Sequence, residues 1–116
     1  MIELFDREGR EAAFCRDGDS LYLWDGTPAA YITGDAVYAY SGRLIGWIRD
    51  GWISDDAGGR LLFEFDAVGG PEKPRRQSKT TTGPRGPKPA RETPEPASGR
   101  PAPSLAWSDR SFAELV

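Results

Sequence analysis

The amino-acid sequence predicts an all-β fold opening with four tandem β-hairpins, each about 16 residues long, and three observations carry that prediction. Gly9, Gly26, Gly42 and Gly58 recur at spacings of 17, 16 and 16 residues. The residues around them fall into columns of like chemistry. The composition also breaks sharply: nine of the ten prolines lie between Pro71 and Pro103, whereas eleven of the thirteen Phe, Tyr and Trp residues lie before residue 66. The apolar runs are too short for helices, and a fixed period marks a chain of supersecondary units that bury their apolar faces against one another.

Each hairpin follows from the columns. In the first, Leu4-Phe5 leads into the turn signal Glu8-Gly9 and returns through Ala12, Ala13, Phe14 and Cys15. The second repeats this as Leu21-Tyr22, Asp25-Gly26 and Ala29-Ala30-Tyr31-Ile32. The third reads Val37-Tyr38, Ser41-Gly42 and Ile45-Gly46-Trp47-Ile48, and the fourth Ile53-Ser54, Ala57-Gly58 and Leu61-Leu62-Phe63-Glu64. Asp17-Gly18, Gly34-Asp35, Asp50-Gly51 and Gly69 close the units, with glycine supplying the positive φ that such turns require. The fourth unit departs from the pattern, with Ser54 in the aromatic column and Glu64 in the aliphatic one. One hairpin is marginal in water, so the four must share a core.

Residues 1–69 therefore form the β-repeat domain, with a net charge of −7. Residues 70–103 carry +5 and no aliphatic or aromatic side chain larger than alanine, so nothing there supports a core. Their prolines favour an extended, polyproline-like chain, and the segment is expected to be a flexible linker. Residues 104–116 bring back Leu105, Trp107, Phe112 and Leu115 and read as a docking segment for the chain's own domain, a sister subunit or another protein. Ser108 can cap a short helix there, and Ser111 with Glu114 forms an alternative start.

Several of these motifs resemble the bacterial four-fold β-flower domain: Leu4-Phe5-Asp6-Arg7-Glu8-Gly9-Arg10, Gly42-Arg43-Leu44-Ile45-Gly46-Trp47 and Asp50-Gly51-Trp52-Ile53. The exit Gly69-Gly70-Pro71, the basic proline-rich stretch and the run from Ser104 to Ser108 are similar too. The resemblance implies four hairpins around a pseudo-four-fold axis and brings no catalytic activity with it.

The candidate chemistry is sparse. The chain has no histidine and a single cysteine, so a His base, a His or Cys-cluster metal site and an internal disulfide are all excluded. Cys15 shares its column with Ile32 and Ile48 and reads as a small buried hydrophobe. Asp17-Gly18-Asp19 and Asp55-Asp56-Ala57-Gly58-Gly59 have no calcium-loop spacing and read as turn chemistry. Tyr22 with Trp24, and Tyr38 with Tyr40, alternate against Leu21, Leu23, Val37 and Ala39, which makes both faces of those strands apolar. Such aromatics either cover the seams between hairpins or line an interaction surface formed by Trp24, Tyr40, Trp47 and Trp52. Lys73, Arg75, Arg76, Lys79, Arg85, Lys88 and Arg91 form a loose basic strip without interleaved aromatics for base stacking.

The function expected from these residues is that of a non-enzymatic protein-interaction or assembly module with no cofactor, whose partner is another protein or a second copy in a homo-oligomer. It would make contact through the aromatic surface and the C-terminal peptide. The alternative is a polyanion- or nucleic-acid-binding protein using the basic linker. A small hydrolase or metal-binding domain comes last. No apolar run is long enough to span a bilayer and no signal-peptide core follows Met1, so a cytoplasmic location is expected.

Overall fold

Four tight turns carry the same pair of backbone hydrogen bonds. Gly9, Gly26, Gly42 and Gly58, with φ between 78° and 94°, donate to the carbonyls of Asp6, Leu23, Ala39 and Asp55 at 2.8–3.1 Å. The amides of those four residues donate in turn to Arg10, Thr27, Arg43 and Gly59 at 2.7–2.9 Å. The computed structural model describes residues 2–77, 80–97, 99–102 and 104–116. Eight antiparallel strands flank the turns: β1 (Ile2–Phe5), β2 (Glu11–Cys15), β3 (Ser20–Leu23), β4 (Pro28–Thr33), β5 (Ala36–Ala39), β6 (Leu44–Arg49), β7 (Trp52–Asp55) and β8 (Arg60–Phe63). Within each hairpin the register slips once, at Leu4/Phe5, Leu21/Tyr22, Val37/Tyr38 and Ile53/Ser54. A slip of this kind bends the strand and increases its local twist.

The strands pair in sequence order, and β1 meets β8 through Phe5 and Phe63, so the sheet closes into a barrel. Closure removes the free edges that a β-sheet otherwise exposes to aggregation. Alternation then divides each strand. Leu4, Ala13, Leu21, Ala30, Val37, Ala39, Ile53 and Leu62 are buried together in one central cluster. An eight-stranded barrel is just wide enough for its own side chains to fill it.

The opposite face carries the aromatics, which pair across the seams between hairpins: Phe14 with Tyr22, Tyr31 with Tyr38, and Phe5 with Phe63. Their ring centroids lie 5.4–5.7 Å apart, within the range of favourable aromatic pairs. The fourth seam pairs Trp47 with Ser54.

One helical turn, α1 (Phe112–Leu115), follows Ser111. Ser111 and Glu114 form a capping box, which is the second of the two helix starts legible in the sequence. Phe112 and Leu115 join the central cluster, so this turn plugs the barrel.

Candidate functional site: the strap and the C-terminal plug

The described residues of the 70–103 segment form no helix or strand, as their prolines lead one to expect, but they do not stand away from the barrel as a free linker. They run from one glycine turn to the next as a strap. The amides of Gln77, Gly86 and Glu95 donate to the carbonyls of Gly9, Gly26 and Gly42 at 2.8–3.0 Å. Gly83 and Glu92 donate to Trp24 and Tyr40, each at 2.9 Å. Both series step by nine residues. One step to either side of the second series stand Pro74 and Pro101, which have no N–H to donate.

The same step appears where the two backbones touch. A Cβ on Gly9, Gly26 or Gly42 would fall well inside contact distance of the carbonyl oxygens of Arg75, Pro84 and Thr93, and one on Gly58 would lie 2.9 Å from that of Ala102. The turn glycines are thus required twice, for positive φ and for the close passage of the strap.

Six basic side chains of the strap engage the barrel and its flank. Arg76 lies over Phe5 and Phe65, Arg85 over Tyr22 and Arg91 over Tyr31, with the guanidinium carbon 4.0–6.0 Å from each ring centre. Lys88 reaches Ser20 and Asp17, Arg100 pairs with Asp35, and Lys73 donates to the carbonyls of Phe65 and Ala67. Acceptors take part as well: the Tyr38 hydroxyl donates to the Glu95 carbonyl at 2.9 Å, and the Thr80 amide donates to Glu11 at 2.7 Å. Lys79, expected in the strip, lies outside the described residues.

The C-terminal segment is anchored through β8. Arg60 and Trp107 form a parallel bridge, in which the Arg60 amide donates to Ala106 at 3.0 Å and the Ser108 amide to Arg60 at 2.8 Å. Trp107 packs edge-on against Trp52 and Phe63. The Ser108 hydroxyl donates to Asp55 at 2.6 Å, and Arg110 binds Asp55 and Asp56 at 3.2 and 2.7 Å. Burial alone would raise the Asp55 carboxyl, but Ser108, the Ala57 and Gly59 amides and Arg110 outweigh it and hold the group below its usual value. Between the plug and the barrel mouth is a cavity of about 600 Å³ bounded by Arg7, Leu23, Leu61, Trp107 and Phe112.

The residues expected to form one aromatic surface are instead distributed over the seams. Tyr40 and Trp47 share a cluster with Tyr31 and Tyr38, Trp52 joins Phe5 and Phe63, and all three are buried. Trp24 is half-buried, edge-on to Phe14, and donates to Thr80 at 3.1 Å. Their exposure differs from the expectation because the strap and Trp107 cover them. Of the expected docking residues, Trp107, Phe112 and Leu115 are seated on the chain's own barrel, while Leu105 is 73% exposed.

The other polar candidates are occupied locally. Asp6, Asp17, Asp25 and Asp55 each accept amide hydrogen bonds from their own turns. Burial pushes the Cys15 thiol up, which disfavours the reactive thiolate. Sequence reasoning missed Arg60 and the nine-residue step, and it took Ser108 as a helix cap without its bond to Asp55. The recurrence of Asp three residues before Gly9 and Gly58 is the one signal that could have drawn attention to Asp55.

A family model described as 4-fold beta flower protein matches residues 2–116. No curated protein and no solved structure matches the chain.

Proposed function

The chain belongs to the 4-fold beta flower family, whose match takes in barrel, strap and plug alike, and from that premise we propose that it is a non-enzymatic protein-interaction module. The observation that carries this reading is a flank the chain leaves largely exposed. Although Arg76 lies over one face of Phe65 and the strap sheathes the neighbouring aromatic seams, Phe65 and Val68 are 60% and 64% exposed. With Lys73, Pro74, Arg75 and Arg76 they line a groove of about 740 Å³. An apolar floor whose rim sets Lys73, Arg75 and Arg76 against the single acid Asp66 fits a protein segment presenting apolar and acidic side chains. The tying of Asp6, Asp17, Asp25 and Asp55 to their own turns, and the burial of Cys15, support a binding role over a catalytic one. The engagement of Arg76, Arg85, Lys88 and Arg91 with barrel side chains weighs against the polyanion reading.

Photo-crosslinking in the cells that make the protein tests this, with the crosslinking residue at Phe65 and, as a control, at exposed Thr33. The expected result is a protein adduct of discrete mass at position 65 that is absent at 33 and weakened by Arg75→Glu. The same adducts at both positions, or none at 65, would overturn the reading.

A further inference from the structure

Three seams of the barrel are closed by aromatic pairs, and the fourth is not. There the position taken by Phe5, Tyr22 and Tyr38 in the other repeats is held by Ser54, opposite Trp47. The missing ring leaves a cavity of about 290 Å³ bordered by Trp47, Ser54 and Arg60, with Arg49, Asp50 and Arg100 also lining it. This is room for about ten waters at roughly 30 Å³ each, enough for a single ring bearing one small polar group.

The chemistry of the walls is selective. Arg60 is 6% exposed, and its guanidinium donates to the Ser104 carbonyl at 2.8 Å, the Ser54 hydroxyl at 3.2 Å and the Gly69 carbonyl at 3.3 Å. All three acceptors are neutral, and among the described residues no carboxylate forms an ion pair with Arg60. With Trp52 under its guanidinium at 5.2 Å and only the longer-range attraction of Asp50 opposing it, this buried charge is incompletely balanced. The Nε1–H of Trp47, a residue 9% exposed, is buried without an acceptor among the described residues. Over three other seam aromatics the strap lays an arginine, on Phe5, Tyr22 and Tyr31; at this one, Arg100 borders the open space.

We propose that this cavity is a binding site for a small planar aromatic carboxylate, whose ring replaces the absent fourth aromatic against Trp47 and whose charge balances Arg60. Arg100, whose Nη1 pairs with Asp35, borders the same space and adds to its positive wall. Asp50, 63% exposed and 3.9 Å from Arg49, puts one negative charge at the rim and so favours a monoanion over a dianion. The site lies apart from the Phe65 groove and does not depend on the interaction reading.

Titration of the ¹⁵N-labelled full chain with benzoate, with acetate and phenol as half-ligands, tests the proposal by nuclear magnetic resonance. Benzoate should move the Trp47 indole N–H resonance saturably, with each half-ligand at least about tenfold weaker. Ser54→Phe supplies the aromatic of the other repeats, fills the cavity and should abolish the shift. Should that variant fail to fold, Arg100→Gln serves instead and should weaken benzoate about tenfold. Acetate acting as well as benzoate would mean a plain anion site and would overturn the aromatic assignment. No saturable benzoate shift, or one unchanged in a folded Ser54→Phe or Arg100→Gln protein, would overturn the proposal altogether.

Discussion

The barrel and the strap both repeat four times around the same four glycine turns, yet they repeat in different chemical terms. The barrel repeats in its side chains, every 16 or 17 residues, because each unit must set an apolar residue inward and an aromatic one on the seam. The strap repeats in its backbone, every nine residues, because carbonyl and amide groups dock on the turns while the intervening side chains vary. Side-chain burial writes a period into the sequence, whereas backbone docking writes only spacing and an abundance of proline and glycine. A segment with no apolar side chain larger than alanine can therefore be bound along its length without resembling a structural element.

Variants can break this comparison on either side. The largest effect is expected from Phe112→Ala, which removes the main apolar anchor of the plug from the central cluster. Deleting a buried Phe side chain costs about 3–5 kcal/mol, read as a lower urea midpoint, with the barrel still folded by circular dichroism. No loss would mean that the plug is not part of the core.

A smaller effect separates turn from strap. Gly26→Ala must bear both a φ of 94° and a clash with the Pro84 carbonyl, whereas Gly34→Ala has a φ of 63° and open space around it. The positive φ costs about 1–2 kcal/mol in either variant. Gly26→Ala should lose more than that and also raise cleavage by protease within residues 80–90, while Gly34→Ala should not. Equal effects would mean that the strap does not press on the turn.

The smallest effect concerns pH. Asp55 is held below its ordinary value of 3.8, so its contribution to seating Ser108 and Arg110 is present above that pH and is lost as pH falls through the lower folded value. Each unit of such depression is worth about 1.4 kcal/mol. Trp107 fluorescence should report release of the C-terminal segment below about pH 4, and Asp55→Asn should remove that transition.

The barrel was largely legible in the sequence because its glycines and aromatic columns are side-chain signals. Gly9 to Gly58 located the turns, and Leu105 to Leu115 announced a segment that returns to apolar surroundings. Closure was not legible, since it depends on the single register between Phe5 and Phe63. Nor was the burial of Tyr40, Trp47 and Trp52, which look like a free surface until the cover supplied by the strap and Trp107 is known. Arg60 was hidden for a related reason: its partners are the carbonyls of Ser104 and Gly69 and the Ser54 hydroxyl, and a sequence does not announce a backbone acceptor.

The central claim is that the strap is bound to the barrel by its backbone at nine-residue steps. Amide hydrogen exchange on the intact chain tests it most directly. The amides of Gln77, Gly83, Gly86, Glu92 and Glu95 should exchange far more slowly than an unstructured peptide, and more slowly than their unbonded strap neighbours. Exchange of all five at unstructured rates, with the barrel amides still protected, would contradict the claim and return residues 70–103 to a free tether.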